Sequence, residues 1–127
     1  MADPYRILIV DDDPNITSML SVALSSLGEV TPVESGAQAL ERVKAEQFNL
    51  VIVDFMLPGM TGIDVLRRIR EQRVDTEVIM VTAYASVETV VEALRLGAYD
   101  YITKPFQIDA IQSTVRRALE KQYLETR

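Results

Sequence analysis

Five short apolar runs alternate along this chain with five segments of helical periodicity, and no other feature restricts its fold as much. The runs are RILIV (Arg6–Val10), EVTPV (Glu29–Val33), LVIVD (Leu50–Asp54), EVIMVT (Glu77–Thr82) and YDYIT (Tyr99–Thr103). RILIV and LVIVD are apolar at consecutive positions, the pattern of a strand buried on both faces. EVTPV contains Pro32, which cannot donate to a ladder and so predicts a strand at the sheet edge. Between the runs, Ile16, Met19, Leu20, Ala23, Leu24 and Leu27 fall on one helical face, with Gly28 as the stop. Ser35 is placed to cap a helix reaching about Glu46. Ile63, Leu66 and Ile69 mark a helix to about Arg73, after the turn cluster LPGMTG (Leu57–Gly62). Ser86 can cap a helix that ends before Gly97, and Ile108, Ile111, Val115, Ala118 and Leu119 mark the last one. Strict βα alternation gives a parallel sheet with helices on both faces, doubly wound, with strand order 2-1-3-4-5.

The 127 residues fit one domain, and no internal repeat or linker divides 1–127. The polar tail EKQYLETR, about 120–127, continues the last helix and reads as the start of a C-terminal linker helix. The net charge of −6 repels nucleic acid and anionic membrane, so direct DNA binding by this domain is not expected. The chain has no cysteine and no histidine, which excludes disulfides, thiolate or imidazole metal sites, Cys nucleophiles and His bases. Asp3 and Pro4 stand where a signal peptide would begin its apolar run, and no run approaches the roughly 18 residues of a membrane span. A cytoplasmic location is the expectation.

The candidate site lies where the strands end. In a doubly wound sheet, ligands bind beyond the carboxyl ends of the strands, near the switch point in strand order. The first strand ends at Asp11 and Asp12, the third at Asp54, the fourth at Thr82 and the fifth near Lys104. With the first and third strands adjacent, the three carboxylates converge. Two carboxylates about 4 Å apart repel by roughly 4 kcal/mol at an effective dielectric near 20. Such a cluster takes up protons or binds a cation, and an oxygen-only donor set selects a hard one such as Mg²⁺. A hydroxyl and an ammonium opposite the carboxylates would suit a transferring phosphoryl group. Each residue alone has a plainer reading as a turn, cap or surface group, and Asp13, before Pro14, is read as a helix N-cap. The five together, each at the end of the appropriate strand, favour the site.

The motifs VDDD, VDFMLPGMTG, MVTAYAS and YDYITKPF, in this order and spacing, resemble those of response-regulator receiver domains of two-component signalling, over essentially the whole chain. The resemblance implies a flavodoxin-like (βα)₅ fold with Asp54 as phospho-acceptor from a phosphohistidine on a sensor histidine kinase. It implies Mg²⁺ bound by Asp12 directly, Asp11 through water, Asp54 and the backbone carbonyl of Met56. Thr82 and Lys104 would contact phosphoryl oxygens, and small Ala83 would leave room for the group to enter. The Lys104–Pro105 bond resembles the family's cis peptide. Thr82 and Tyr101 match the family's switch pair, and the responding surface would be the fifth strand with helices Ser86–Leu96 and Gln107–Leu124. Met56 and Tyr84 occupy positions that tune hydrolysis in many receivers. Neither is an acid or amide, which implies slow self-dephosphorylation. The domain would assist its own phosphotransfer without being a turnover enzyme.

The stretch VETVVEALRLGAYDYITKPF followed by VRRALEKQ resembles receivers of AAA+ transcription activators of the NtrC type, which also carry a helix-turn-helix. A fragment of such a regulator and a stand-alone or passive interaction module both stay open, as does a phosphorylation-dependent homodimer. Val87, Val90, Val91 and Leu94 divide between core and interface in a way the sequence does not settle. Ile16, Met19 and Leu20 likewise serve either core or partner. A haloacid-dehalogenase-type phosphatase would want a second Asp two residues after Asp54, where Met56 stands. A flavodoxin-like cofactor module would want a phosphate-cradling loop where this chain has aspartates. Gly-rich nucleotide loops are absent.

Overall fold

The computed structural model describes residues 4–73 and 75–126, and across them each apolar run becomes a strand of one parallel sheet. In chain order the elements are β1 (Arg6–Val10), α1 (Pro14–Leu24), β2 (Glu29–Val33), α2 (Gly36–Ala45), β3 (Leu50–Asp54), α3 (Gly62–Gln72), β4 (Glu77–Thr82), α4 (Val87–Arg95), β5 (Asp100–Thr103) and α5 (Ile108–Thr126). The sheet order is β2-β1-β3-β4-β5, as expected. Pro32 does lie on an edge strand, and the other edge is β5.

Alternate residues of the central strands feed two separate cores. Leu8, Val10, Val51, Val53, Val78 and Met80 face α2 and α3, where Ala39, Val43, Ile63, Leu66 and Ile69 close over them. Ile7, Ile9, Leu50, Ile52, Ile79 and Val81 face α1 and α5, covered by Leu20, Leu24, Ile111, Val115 and Leu119. Each such aliphatic side chain contributes about 1.5–3 kcal/mol on full burial. The core therefore fixes the strand ends firmly enough to hold unfavourable charge beside them.

The helix starts follow the expected caps. Asp13 accepts the Asn15 N–H at 2.9 Å and Ser35 accepts the Gln38 N–H at 3.2 Å. Ser86, the third expected cap, forms a capping box with Thr89; Thr61 and Asp64 form another, which is not among the expected caps. One boundary differs from expectation: α1 ends at Leu24, with Ser25 as its C-cap, rather than running to Gly28. Gly28 serves a different purpose. A Cβ there would lie 2.6 Å from the Tyr5 carbonyl oxygen, so glycine lets the chain entering β2 pass close to the one entering β1. Among the described residues, no helix is long and apolar enough to cross a membrane.

Candidate phosphoryl and cation site

Register explains why the carboxylates meet. Val10 pairs with Val53, so Asp11 and Asp54 are the next residues of two adjacent strands as both leave the sheet. Asp12 follows Asp11 into the turn before α1. Carboxylate oxygens of Asp11, Asp12 and Asp54 all lie within 4.8 Å of one another. Asp11 and Asp54 are buried, whereas Asp12 is exposed. On the far side, Asp54 pairs with Val81, and Thr82 is the next residue of β4. The backbone N–H of Lys104 donates to the Thr82 carbonyl at 2.8 Å, which brings the end of β5 to the same edge. The sheet thus gathers Asp11, Asp12, Asp54, Thr82 and Lys104, the five residues the sequence singles out.

Lys104 lies between two of the carboxylates. Its Nζ donates to Asp11 Oδ2 at 2.8 Å and to Asp54 Oδ2 at 3.1 Å. The other oxygen of Asp54, Oδ1, accepts the Met56 N–H at 3.1 Å, and Asp11 Oδ1 accepts the Asp13 N–H at 2.9 Å. Each buried carboxylate is therefore held by one ammonium bond and one backbone bond. Thr82 is fully buried, and its Oγ1 accepts the Tyr84 N–H at 3.1 Å. A hydroxyl in that role still has its own proton to donate. The Lys104–Pro105 peptide is cis, and Ala83 is exposed beside Thr82.

The electrostatics favour an added cation. Burial pushes the Asp54 carboxyl above the ordinary range, and the Asp11 charge adds to the push. The Met56 N–H and Lys104 offset this only in part. Burial alone would lower the Lys104 ammonium. Hydrogen bonds and charge from Asp11 and Asp54 outweigh it and hold the ammonium above its usual value. Three carboxylates and one ammonium sum to −3 + 1 = −2, the charge that a divalent cation cancels. The donor set is all oxygen, which suits Mg²⁺. An exposed acid beside two buried ones leaves one side of the cluster open to water ligands.

Within the motif VDFMLPGMTG the sequence gives Gly62 no role of its own, but in the structure Gly62 belongs to the site's support. A Cβ at Gly62 would lie 2.5 Å from the Asp54 carbonyl oxygen and 2.8 Å from Phe55 Cα. The Gly62 N–H also donates to the Phe55 carbonyl at 2.8 Å, closing the loop that carries Met56. Two glycines within six residues were the available signal. Tyr101 is half-buried against the α2/α3 core, and its hydroxyl lies 3.4 Å from Thr89 Oγ1 in the first turn of α4. On α4, Val90 is half-buried, while Val87, Val91 and Leu94 are exposed. On α1, Leu20 belongs to the core, Ile16 is half-buried and Met19 is exposed.

With fold and site in view, comparison with known proteins is specific. Residues 7–116 match the response regulator receiver domain family, and the chain belongs to that family, the receivers of two-component response regulators. It is 44 % identical over 121 residues to the regulatory protein AtoC of Escherichia coli (strain K12), covering 94 % of this chain and 26 % of AtoC. The transcriptional regulatory protein ZraR of the same organism is 42 % identical over 118 residues, covering 92 % of this chain and 27 % of ZraR. The chain thus spans about a quarter of the length of these regulators. Among solved structures, a CheY-like receiver domain protein from Methanospirillum hungatei JF-1 superposes with a TM-score of 0.92 at 35 % identity, covering 95 % of this chain and 98 % of that one. The beryllofluoride-activated NtrC4 receiver domain dimer gives 0.88 at 31 % identity, covering 92 % and 98 %. That match agrees with the NtrC-type resemblance read from the sequence.

Proposed function

We propose that this domain is a phosphorylation-controlled switch with Asp54 as its acceptor. A carboxylate oxygen of Asp54 attacks the phosphorus of a phosphohistidine on a sensor kinase. The P–O bond forms as the P–N bond breaks, and the electron pair leaves on the imidazole. The product is an acyl phosphate, a temporary mark. Asp11, Asp12, Asp54 and the Met56 carbonyl would hold Mg²⁺, which when bound supplies charge neutralisation for the incoming phosphoryl oxygens. Lys104, already bonded to Asp54, pairs with a phosphoryl oxygen, and the Thr82 hydroxyl donates to another. Ala83 leaves the entrance clear. Exposed Met56 and Tyr84 offer no acid or amide to orient an attacking water, which supports slow self-dephosphorylation. The domain assists this transfer and is not a turnover enzyme.

The output is conformational. Thr82 turns toward the phosphoryl group, Tyr101 responds, and the surface of α4, β5 and α5 changes. The effector is a transcription-regulating module, in keeping with relatives that are transcriptional regulators; an AAA+ and helix-turn-helix architecture fits the sequence resemblance. Residues from about 120 lead toward it, with Arg127 outside the described residues. A second copy of the chain is a partner in the active form, as the NtrC4 receiver is a dimer. The setting is cytoplasmic, and the charge of −6 argues against direct nucleic-acid contact. The observation that carries this reading is Lys104 bridging Asp11 and Asp54 inside a three-carboxylate cluster. Thermal unfolding with Mg²⁺, alone and with beryllofluoride, tests it. Wild type is expected to gain stability from Mg²⁺ and gain again from beryllofluoride, and Asp54→Asn is expected to lose the second gain. Equal responses in the two proteins would count against Asp54 as acceptor.

A further inference from the structure

A run of amide groups at the amino edge of the sheet leaves one donor unanswered. Asn49 lies just before β3. Its Oδ1 accepts the Arg6 N–H at 2.7 Å, and its Nδ2 donates to Gln122 Oε1 at 2.8 Å. Its backbone N–H donates to the Arg6 carbonyl at 2.9 Å and its carbonyl accepts the Glu77 N–H at 3.1 Å, so this residue joins the starts of β1 and β4 to α5. The order of these bonds fixes both side-chain amides. A backbone N–H can only donate, so Asn49 turns Oδ1 to Arg6 and Nδ2 to Gln122. Gln122 must then meet Nδ2 with Oε1, and its own Nε2 is left over. Gln122 is 5 % exposed, and among the described residues its Nε2 has no partner. No fully buried side-chain nitrogen or oxygen among those residues lacks a hydrogen bond, so Nε2 opens on free space.

That space is a cavity of 350 Å³ between the start of β1, the connections entering β3 and β4, and the last turns of α5. It lies at the edge of the sheet opposite Asp54. Its size falls in the lower part of the range for small-molecule sites, about 300–1,000 Å³. Tyr5, Phe48 and Tyr123 line it with aromatic surface. The Arg6 guanidinium stands 5.1 Å from the centre of the Phe48 ring, and its charge is met by Glu46. Arg73 also lines the cavity, but its charge is met differently. Its Nε and Nη2 donate to the carbonyls of Val43 and Lys44 at 3.2 and 3.4 Å. Among the described residues no carboxylate forms an ion pair with it, and Asp75, the acid of the lining, is exposed. The guanidinium keeps N–H groups and a positive charge for an entering group.

We infer that this cavity is a binding site for a small aromatic carboxylate, its carboxylate on Gln122 Nε2 and the Arg73 guanidinium and its ring among Tyr5, Phe48 and Tyr123. Each feature selects one part of the ligand. The Gln122 amide calls for an acceptor, and Arg73 favours an anionic, planar one. The aromatic lining favours a flat body over an aliphatic one. Inorganic phosphate would use the donors and leave the rings uncovered, and a neutral ring would do the reverse. Binding completes the hydrogen bonds of Gln122 and so adds a tie between α5 and the chain entering β4. The site is separate from the phosphoryl site, and the inference stands without the switch reading.

Heteronuclear NMR, which resolves the side-chain amides of Asn49 and Gln122, tests this on the whole chain with benzoate as the probe. Saturable shifts are expected at those two side-chain amides and at the Tyr123 backbone amide, with none at Asp11, Asp54 or Thr82. Acetate, which lacks the ring, and benzyl alcohol, which lacks the carboxylate, should each bind at least about tenfold more weakly. Gln122→Glu keeps an oxygen for Asn49 and removes the free donor. Arg73→Gln removes the charge and leaves a hydrogen-bonding amide. Each should weaken benzoate at least about tenfold, the effect of losing one hydrogen bond to a charged group. The same spectra report whether each variant is folded, and the comparison of probes on wild type needs neither variant. No saturable shift in wild type, which would leave the cavity to water, overturns the site. So do shifts confined to the Asp54 edge, equal binding of the three probes, or an affinity unchanged in both folded variants.

Discussion

Two lysines of this molecule each sit between two carboxylates, at opposite edges of the sheet. At the carboxyl edge, Lys104 bridges Asp11 and Asp54. At the amino edge, Lys121 bridges Glu77 and Glu125, at 2.6 and 2.7 Å. The contacts look alike, but their surroundings do not. The Lys121 and Glu125 side chains are about half exposed, 48 % and 50 %, with only Glu77 buried. Lys104 is 18 % exposed between carboxylates at 4 % and 8 %. In the lower cluster the Lys121 and Glu125 groups lie half in water, only the Glu77 carboxylate is buried, and the Arg70 guanidinium adds its charge nearby. The upper cluster, with exposed Asp12, sums to −2 around a buried pair of carboxylates. Lys121 is held above its usual value and Glu125 below its own, each by the hydrogen bonds between the partners. Asp54 is instead pushed up by burial. One lysine completes a structural clasp, and the other leaves a charge deficit that a cation and a phosphoryl group can use.

The contrast is open to test, and the largest effect is expected at Lys104. Lys104→Met leaves two buried carboxylates without their ammonium, and breaking such a pair costs about 3–5 kcal/mol. Chemical denaturation without divalent cation should show the loss, and saturating Mg²⁺ should recover a large part of it. Recovery of nothing would mean the carboxylates do not form a cation site.

Asp54→Asn should act in the opposite direction. The folded-state pKa of Asp54 lies above its unfolded value of 3.8, so ionisation costs stability. The penalty is absent below pH 3.8, accrues as pH rises through the interval up to the folded pKa, and is complete above it. Without Mg²⁺ the Asn variant is expected to be more stable at pH 7 and to melt at a higher Tm. The advantage should shrink toward zero as the pH approaches 4. A variant less stable than wild type at pH 7 would show that the carboxylate is satisfied in place, as Glu77 is.

The smallest effect is expected at the lower lysine. Lys121→Ala removes half-exposed bonds, so about 1 kcal/mol or less is expected. Mg²⁺ affinity should be unchanged. A loss as large as that of Lys104→Met would erase the distinction between the two clusters.

The upper cluster was legible in the sequence because each of its residues ends a strand whose apolar run announces it. The lower one was not. Asn49 donates from Nδ2 to Gln122 Oε1 at 2.8 Å and accepts the Arg6 N–H at 2.7 Å, and Gln122 is buried. Nothing in EKQYLETR marks Gln122 as buried and Tyr123 as half-exposed. That depends on how far α5 reaches along the sheet, a tertiary fact. Gly28 misled for a related reason. Its place after a helical run suggested a cap, whereas close approach to Tyr5 explains it. The difference between Asp11 and Asp12 follows from Asp11 sitting next in register to Asp54 while Asp12 has left the sheet. Tyr101 and Thr82 were found as members of motifs, but the contact of Tyr101 with the α4 cap needed coordinates.

Intact mass after incubation with Mg²⁺ and acetyl phosphate tests the central claim most directly, on wild type and Asp54→Asn side by side. The account predicts one added phosphoryl group on wild type, none on the variant, and loss of the adduct when Mg²⁺ is withheld. An unchanged mass in wild type that is folded and shown to bind Mg²⁺, or equal phosphorylation of both proteins, would contradict it.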